Sequence, residues 1–529
     1  MARQFLCSDT EPVVQTKAGK LRGFLLDGVY TFHGVKYADA RRFQAPKPIA
    51  PWEGIRDALS YGPIAPLLEN PAPSGEIMIP HRFWPEHEHC QRLNVWTPGL
   101  DGAAKRPVMV WLHGGGFSAG SSIEQVAYEG DHLSKWGDVV VVSLNHRLNI
   151  LGYFDLSSFG EKYKNSCNAG MADIVEALKW VRENIAAFGG DPDNVTVFGQ
   201  SGGGMKVTAL GQIPEAAGLF HKGVIMSGVI EMLAFAPPRD DRAVAKNILE
   251  ELGLGEGEAE KLETVPFPVL ARAFNRVNKK LRKQGVFVDW GPRANDWYPG
   301  DPLQTGFSAF AKSFPTMVGS VIAEFGFGPG IPGRSGLSPE ARRAKIAERY
   351  GNHTEDLIAL FKKAYPGRNE LDILSLDTMF RPGTLRYIER KASEASAPVY
   401  SYLFALEFDY DGGRSAWHCS DIPFVFRNTD RVAVCNIEGV TEKLEDQISG
   451  AYVNFARTGN PGHAALPEWP AWSGDKKAAM VFDRESVLRV EHEQELLALL
   501  QKAAPPFDFS SMMQQQDGDE EEGGRAWVY

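Results

Sequence analysis

The chain has 529 residues, of which 43% are hydrophobic and 23% are charged. This composition excludes a disordered protein and is sufficient for a large core. The net charge of −11 at pH 7 argues against nucleic acid or anionic membranes as main partners, because both need a concentrated basic surface. The five cysteines are too few and too irregularly spaced to indicate a disulfide framework or a zinc site; they are Cys7, Cys90, Cys167, Cys419 and Cys435.

The N-terminal residues contain no apolar run long enough for a signal peptide, and no segment approaches the length of a membrane span. We therefore expect a cytoplasmic location. Length alone suggests about three domains, but large α/β proteins often add long insertions to one sheet. We expect a single domain over residues 1–508, followed by a flexible tail over 509–529, whose glutamine-rich and acidic composition is too polar to pack.

The N-terminal region predicts a small antiparallel sheet over Val13 to Thr31, where apolar and polar residues alternate around glycine turns. Further along, His87-Glu88-His89-Cys90 is a metal-like cluster, since imidazole and thiolate groups ligate zinc. Its spacing matches no recognised zinc motif, and alternate residues of an extended segment face opposite ways. A polar loop is the favoured interpretation, and no metal site is predicted.

From Leu93 onward the pattern is that of an α/β protein. Short, β-branched apolar runs indicate buried strands; they are Leu93–Trp96, Val108–Leu112, Val139–Leu144 and Val195–Phe198. Between residues 168 and 188 the apolar positions recur at helical spacing, and Gly189-Gly190 ends the predicted helix. Near the C-terminus we predict a last strand at Met480–Phe482 and then an amphipathic helix at about 491–503.

Two glycine-rich segments follow predicted strands. Gly199-Gln200-Ser201-Gly202-Gly203 fits the pattern G-x-S-x-G, in which a sharp turn between strand and helix exposes a serine nucleophile. A serine hydroxyl is a weak nucleophile, so it needs a neighbouring base and donors for a tetrahedral oxyanion. The stretch His113 to Phe117, with three glycines after a strand, is typical of an oxyanion hole. Phe117 is therefore the safest candidate for a wall of the cleft.

These residues resemble the type-B carboxylesterases, a family of the α/β-hydrolase superfamily that includes cholinesterases and bacterial p-nitrobenzyl esterases. The resemblance runs through most of the chain in family order. The further matching segments are 34–37, 51–54, 93–98, 145–154, 188–192, 227–228, 418–426 and 454–461. It implies an α/β-hydrolase fold, with a mostly parallel central sheet flanked by helices and with large cap insertions.

The resemblance implies that Ser201 is the nucleophile and that the backbone N–H groups of Gly115, Gly116 and Gly202 form the oxyanion hole. The position of Gly202 usually holds an alanine in this family. We expect this departure to matter little, because the backbone supplies the donor, although the turn loses one methyl group of rigidity.

The resemblance also implies the base and the acid of a catalytic triad. His418 matches the family's histidine, and Glu324 matches an acid that follows a strand end after Gly319. The chain order of serine, acid and histidine is that of α/β-hydrolases. Asp421 is a rival acid, but its place three residues after His418 favours a role in the local loop. Ser227 matches a serine that supports the acid from behind.

Two long stretches, at about 229–313 and 325–397, are expected to form a cap that closes a gorge over the nucleophile. Aromatic residues in and near them are candidate walls, although each could equally be packed in the core; they are Trp290, Trp297, Phe327 and Trp417.

Together these features predict hydrolysis of small carboxylic esters through an acyl-enzyme, without a metal or organic cofactor. Amide, carbamate or thioester cleavage would use the same groups and stays open. A non-catalytic binding or adhesion protein is the alternative from another class, but such relatives typically lose the serine. The chain is expected to be a monomer or a homodimer.

Overall fold

The computed structural model describes residues 4–68, 78–234, 241–286, 288–326 and 330–503. Its centre is one twelve-stranded sheet. In chain order the strands are Phe5–Leu6 (β1), Phe24–Leu26 (β2), Val29–Lys36 (β3), Arg92–Thr97 (β4), Arg106–Leu112 (β5), Val140–Leu144 (β6), Gly190–Gln200 (β7), Lys222–Met226 (β8), Thr316–Val321 (β9), Val399–Phe404 (β10), Ala478–Phe482 (β11) and Val487–Val490 (β12).

The strands lie in the spatial order β1-β2-β3-β4-β6-β5-β7-β8-β9-β10-β11-β12. Seven strands pair with one another in parallel, in the spatial order β6-β5-β7-β8-β9-β10-β11. The four N-terminal strands and β12 join antiparallel. This arrangement confirms the predicted α/β fold with a mostly parallel sheet. The carboxyl ends of parallel strands meet at one edge of the sheet, where active sites of open α/β sheets lie.

Helices cover the sheet on both faces, because parallel strands need crossover connections that pack back onto it. Their bounds are Asp131–Gly137 (α1), Asn149–Tyr153 (α2), Ala169–Asn184 (α3), Gly202–Gln212 (α4), Glu231–Ala234 (α5), Asp241–Glu251 (α6), Phe267–Arg282 (α7), Pro302–Thr305 (α8), Ala309–Ser313 (α9), Pro339–Tyr350 (α10), Thr354–Ala364 (α11), Phe380–Glu394 (α12), Ile422–Phe426 (α13), Thr441–Thr458 (α14) and Gln494–Ala503 (α15).

Side-chain alternation along the strands divides the core in two. In β5, Met109 and Trp111 belong to a cluster with α13 and α14, whereas Val108, Val110 and Leu112 belong to a cluster with α3. Successive residues of a strand point to opposite faces, so one apolar run supplies both layers. This explains why the strand runs are almost continuously hydrophobic.

Among the described residues outside the main sheet, short strands form three small sheets. The first joins Val13–Gln15, Lys20–Arg22 and Ile55–Asp57, of which only the first pair is antiparallel. The other two pair Ala38–Asp39 with Lys47–Pro48 and Glu407–Phe408 with Arg414–Ser415. The predicted antiparallel pairing is therefore confirmed at both turns of this region, but the two pairs do not form one small sheet, because β2 and β3 belong to the main sheet.

The two predicted cap stretches lie in the long connections between consecutive strands of the sheet. Helices α5 to α9 lie between β8 and β9, and α10 to α12 lie between β9 and β10. Helices α6 and α7 pack around a third apolar cluster, which also contains Ile150 and Phe154. No helix in the described ranges is long and apolar enough to cross a membrane. The expected tail over 509–529 lies outside the described residues.

Candidate active site

Ser201 lies between the end of β7 and the start of α4, at the carboxyl edge of the sheet. Its backbone has φ +57° and ψ −125°, a conformation that L-residues rarely adopt. The N–H group of Ser201 donates to Met226 O at the end of β8, at 2.8 Å. This geometry is the strained elbow that the motif predicts, and the serine side chain is only partly buried.

Glu324 and His418 meet beside this elbow. His418 Nδ1 lies 2.5 Å from Glu324 Oε2, and the backbone N–H of His418 donates to Glu324 O at 2.8 Å. The other carboxylate oxygen of Glu324 accepts from Val321 N at 3.0 Å. Both side chains are buried, so the carboxylate fixes the orientation and the tautomer of the imidazole. This leaves Nε2 as the nitrogen available to act as base.

Asp421, the rival acid, has a different partner. Tyr402 donates its hydroxyl hydrogen to Asp421 Oδ2 at 3.3 Å, and Tyr452 donates in turn to Tyr402. Burial, together with the nearby charge of Glu324, raises the pKa of Asp421 to about 7. The carboxyl that contacts His418 Nδ1 is therefore that of Glu324.

Asp377 is a further buried carboxyl near Glu324. Burial and the charge of Glu324 raise its pKa to about 7, although three backbone N–H groups at the start of α12 act in the opposite direction. Because the pKa of Asp377 and that of Asp421 are both raised, these two carboxyls are only partly ionised near neutral pH. The negative charge around Glu324 is reduced accordingly.

Gln200 and two aromatic rings surround the imidazole of His418. Gln200 Nε2 lies 3.3 Å from Nδ1 and 3.2 Å from Nε2; an atom almost equally far from both nitrogens lies over the ring face, since in the ring plane Cε1 would block it. Cys419 Sγ donates to Gln200 Oε1 at 3.2 Å. Phe325 and Phe380 pack against the imidazole with centroids 5.6 and 5.2 Å away. Sequence reasoning missed Gln200, Phe325 and Phe380.

Among the described residues, no hydrogen bond joins Ser201 Oγ to His418. In free serine hydrolases such contacts are often long and tighten when substrate binds. Gln200 lies over the face of the His418 ring, so its side chain does not block Nε2 in the ring plane. The arrangement can therefore accept a proton from a serine that attacks an acyl carbon.

We call residues His113–Gly116 the oxyanion loop. Gly115 and Gly116 have φ of +78° and +61°, conformations that favour glycine. Within the described part of the chain, the N–H groups of Gly115, Gly116 and Gly202 donate no backbone hydrogen bond. The first N–H groups of a helix have no intrahelical partner either, so Gly202 at the start of α4 is a ready donor. These three N–H groups can donate hydrogen bonds to a substrate oxygen that develops negative charge.

Gly202 is where the oxyanion loop touches α4. A Cβ placed on Gly202 would lie 2.2 Å from Gly116 O and 2.5 Å from Gly116 N. The oxyanion loop therefore occupies the space that the methyl group of the family's usual alanine would take. This packing argues against the expectation that the departure matters little, and its effect on activity stays a prediction.

A sequence profile described as the carboxylesterase family matches residues 10–499. The chain belongs to this family. It is 34% identical to the para-nitrobenzyl esterase of Bacillus subtilis over 497 residues, which are 92% of this chain and 98% of that protein. It is 33% identical to the phenmedipham hydrolase of Pseudarthrobacter oxydans over 499 residues, covering 90% of this chain and 96% of the relative.

Solved structures agree with the family. An esterase from the anaerobe Clostridium hathewayi, described as able to hydrolyse aliphatic aromatic polyesters, superimposes with a TM-score of 0.92. It is 50% identical, and the match covers 95% of this chain and all of that one. A thermophilic p-nitrobenzyl esterase superimposes with a TM-score of 0.75 at 32% identity, covering 93% and 100% of the two chains. The protein is a carboxylic-ester hydrolase with an α/β-hydrolase fold.

The remaining predicted site residues have different surroundings. Ser227 has a buried hydroxyl that finds no hydrogen-bond partner among the described residues, so its support of the acid stays a prediction. Phe117 is buried beside Gly116 and packs edge-on against Tyr153, with centroids 5.0 Å apart. Its place next to the oxyanion loop agrees with a wall of the acyl site.

The aromatic candidates for the gorge do not share one position. Trp417 is fully buried against Phe408, with centroids 4.4 Å apart, so it belongs to the core and is not a cleft wall. Trp290 and Trp297 are partly buried and pack beside the cluster that contains α3, which leaves their role a prediction. Phe327 lies outside the described residues.

The metal-like segment is occupied by other contacts. Arg42 forms a salt bridge with Glu88, while the rings of His87 and His89 lie 5.1 Å apart. In the described ranges, no three histidine, cysteine or acidic side chains gather as they would around a metal ion. The segment is a polar loop, as the sequence favours.

Proposed function

We propose that this carboxylesterase uses Ser201, His418 and Glu324 as its catalytic triad, with the N–H groups of Gly115, Gly116 and Gly202 as oxyanion donors. The observation that carries the proposal is the 2.5 Å contact between His418 Nδ1 and Glu324 Oε2 beside a serine held at φ +57°. It supplies an oriented base near a partly accessible nucleophile.

In the first half of the reaction, Nε2 of His418 accepts the hydroxyl proton of Ser201 as Oγ bonds to the acyl carbon. The carbonyl oxygen becomes an oxyanion and accepts hydrogen bonds from the glycine N–H groups. When the tetrahedral intermediate collapses, His418 returns the proton to the leaving alkoxide and the alcohol departs. Water then attacks the acyl-enzyme in the same way, which releases the carboxylic acid and restores Ser201.

The experiment is release of p-nitrophenol from acetyl, butyryl and octanoyl esters by wild type and Ser201→Ala. We expect an early burst equal to the number of enzyme sites, or turnover that a fluorophosphonate stops by labelling Ser201. The variant is expected to lose activity by about 10⁴-fold or more, because neither nucleophile nor acyl-enzyme can form. Full activity in the variant would refute the assignment, and absence of both turnover and labelling in wild type would favour a binding protein.

We further propose that aromatic carboxylic esters are among the substrates. Two observations support this: the 50% identity to an esterase described as acting on aliphatic aromatic polyesters, and the ring of Phe325, which packs on His418 while 38% exposed. The ring also packs against Phe380, with centroids 5.7 Å apart, and an aromatic ring that is partly accessible beside the proposed base can contact an aryl acid.

A soluble test compound is bis(2-hydroxyethyl) terephthalate, with release of the monoester followed by chromatography and ethyl butyrate as the aliphatic comparison. Phe325→Leu is expected to raise KM for the terephthalate several-fold and to leave KM for ethyl butyrate nearly unchanged. An equal change for both esters would indicate that the ring supports His418 rather than the substrate.

A cytoplasmic location is proposed as well. All five cysteines are free thiols in the structure and four of them are buried, which fits a reducing compartment. Subcellular fractionation of the native host tests this directly, and recovery of the chain in an extracellular fraction would overturn it.

A further inference from the structure

Lys206 is a buried charged residue that the proposed chemistry does not use. It lies on α4, one and a half turns after Ser201, and its side chain is fully buried. Its ammonium nitrogen donates to His113 O at 3.0 Å, the one hydrogen bond that this nitrogen forms within the described ranges. Burying a lysine ammonium costs free energy that only hydrogen bonds or a charge partner offset, and here a single hydrogen bond within the described ranges does so.

The contact holds the first residue of the oxyanion loop. Lys206 anchors His113 at the start of the loop, while Gly202 receives Gly116 at its end without room for a Cβ. Both contacts come from α4, the helix that begins at the nucleophile. The loop is therefore fixed to the same rigid element as Ser201, at two points that span its glycines.

The surroundings of Lys206 set its charge. Burial lowers the pKa of Lys206 to about 7, and the attraction of Glu124 acts in the opposite direction. The rings of His113 and His146 stack 5.0 Å apart, and burial, together with Lys206, holds the pKa of both well below the usual value. The imidazoles are thus neutral. Glu124 is the group that favours the charged lysine, but burial also raises the pKa of the Glu124 carboxyl to about 7, so its charge acts mainly above neutral pH. The ring of Phe117 lies 5.5 Å from the ammonium nitrogen and covers it.

We propose that Lys206 is a positioning residue for ester hydrolysis, which holds the oxyanion loop at His113 so that the N–H groups of Gly115 and Gly116 face the carbonyl oxygen. This rests on the proposed function of the loop. A charged donor to a carbonyl is stronger than a neutral one, so the loop keeps its place while charge develops on the oxyanion and no reorganisation is needed.

The test compares Lys206→Met with Lys391→Met. Lys391 on α12 is a matched control: it is also fully buried, burial also lowers its pKa to about 7, and it donates to Thr316 Oγ1 at the start of β9. For each variant we would measure kcat and KM for p-nitrophenyl acetate, the inhibition constant of an alkyl trifluoromethyl ketone, and the Tm. The ketone bonds to Ser201 Oγ and carries the resulting oxyanion, so it reports on the loop.

Lys206→Met is expected to lower kcat about 100-fold and to weaken the ketone by the same factor, with KM changed less than about threefold. Lys391→Met is expected to leave all three kinetic constants at the wild-type values, whatever its Tm. Lys206→Arg, which keeps a charged donor, is expected to restore part of the ketone affinity.

A second variant keeps the proposal testable if Lys206→Met does not fold. Glu124→Gln preserves shape but removes the charge that favours protonated Lys206, so the alkaline limb of kcat is expected to move to lower pH. Glu124, His113 and His146 are the titratable groups that act on Lys206, and the two imidazoles stay neutral throughout this range.

Two results would overturn the proposal in different ways. If wild type hydrolyses esters while Lys206→Met changes only Tm, or Glu124→Gln leaves the pH profile unmoved, Lys206 is structural and the proposed function stands. If wild type neither hydrolyses esters nor binds the ketone at Ser201, the proposed function fails and this positioning role fails with it.

Discussion

Ser201 occupies a backbone conformation that is costly by about 1 to 3 kcal/mol for a residue with a side chain. Such strain persists only where surrounding contacts enforce it. Here the Ser201 N–H is held by Met226 O, and the glycines that follow allow α4 to start at once. The result is a hydroxyl presented at the carboxyl edge of the sheet, where His418 and Glu324 also lie.

A prediction at this scale separates the two candidate acids. Glu324→Gln keeps the shape of the side chain but removes the negative charge at His418 Nδ1, so kcat is expected to fall about 10³- to 10⁴-fold with little change in Tm. Asp421→Asn is expected to lower kcat less than about tenfold, because its carboxyl bonds to Tyr402. Steady-state kinetics on p-nitrophenyl butyrate measure both variants, and the reverse ranking would make Asp421 the acid.

Much of this site could be predicted from the sequence because its residues lie in motifs with a mechanical reason for each position. Ser201 needs glycines around it, and Gly115 and Gly116 of the oxyanion loop have positive φ. Gln200, Phe325 and Phe380 carry no such local signature, since they reach His418 only through tertiary packing. Trp417 shows the opposite error. An aromatic residue that precedes the proposed base in the sequence does not have to line the cleft, and the side chain of Trp417 is buried in the core.

At the scale of elements, the oxyanion loop packs so closely against the start of α4 that no space is left for a Cβ on Gly202. Gly202→Ala is therefore expected to displace the loop and to lower kcat/KM by about 10-fold or more, with a weaker effect on KM than on kcat. The physical reason is the 2.2 Å approach of the added Cβ to Gly116 O. Kinetics with p-nitrophenyl acetate and the Tm of each variant measure the effect.

Gly257→Ala is the control for this prediction. Gly257 lies in a 3₁₀ helix at Glu256–Glu263, and an added Cβ would meet no atom within 4 Å. Its activity is expected to match wild type, with stability unchanged or slightly raised. If Gly202→Ala also keeps full activity, the loop adapts to a methyl group and the close approach is not functional.

The elements themselves followed from periodicity where the run was long. The predicted helix between 168 and 188 is present as α3 with a final 3₁₀ turn at Ile185–Phe188. The prediction that Met480–Phe482 is the last strand was wrong, because Val487–Val490 adds an antiparallel edge strand after it. Only four residues long and half exposed, β12 lacks the apolar run that marks a buried strand.

At the scale of the whole molecule, the buried ion pair of Arg381 and Glu493 connects parts of the chain that are far apart in the sequence. Arg381 on α12 pairs with Glu493, just before α15, with nitrogen and oxygen 2.6 Å apart. Tyr365, directly after α11, also donates to this carboxylate. Burial alone would raise the pKa of Glu493, but the charges of Arg381 and His492 and the hydrogen bonds outweigh it and bring the pKa to about 2.

Because the folded pKa of Glu493 lies below the value of about 4.3 in an unfolded chain, its contribution to stability is present above pH 4.3 and is lost as the pH falls toward 2. Glu493→Gln is expected to destabilise the fold by about 3 kcal/mol at pH 7, since it leaves Arg381 buried without its partner. The difference from wild type should shrink steadily between pH 4.3 and 2, as measured by urea unfolding.

Glu495→Gln provides the comparison for this experiment. Glu495 pairs with Lys363 at the surface, where both side chains are about two thirds exposed, and exposed pairs contribute little. No measurable change in unfolding is expected. A loss of stability in Glu493→Gln that does not depend on pH would show that the contact between Arg381 and Glu493 stabilises the fold through packing rather than through charge.

The overall α/β architecture was predictable because buried parallel strands leave near-continuous apolar runs and their crossovers leave helical periodicity. The cap was placed only as two intervals, since those segments mix helices with irregular chain and their packing depends on contacts such as those of α6 and α7 with Ile150 and Phe154. Pocket residues inside such insertions cannot be read from local pattern.

The strand order has a consequence for how the protein comes into existence. Ser201 follows β7, Glu324 follows β9 and His418 follows β10, and these parallel strands pair only after long stretches of chain have closed on themselves, which is slow. A partly folded chain could already contain the serine elbow and yet lack its base. During refolding or synthesis, esterase activity should therefore appear later than secondary structure. The activity would then measure the fraction of molecules that have folded completely.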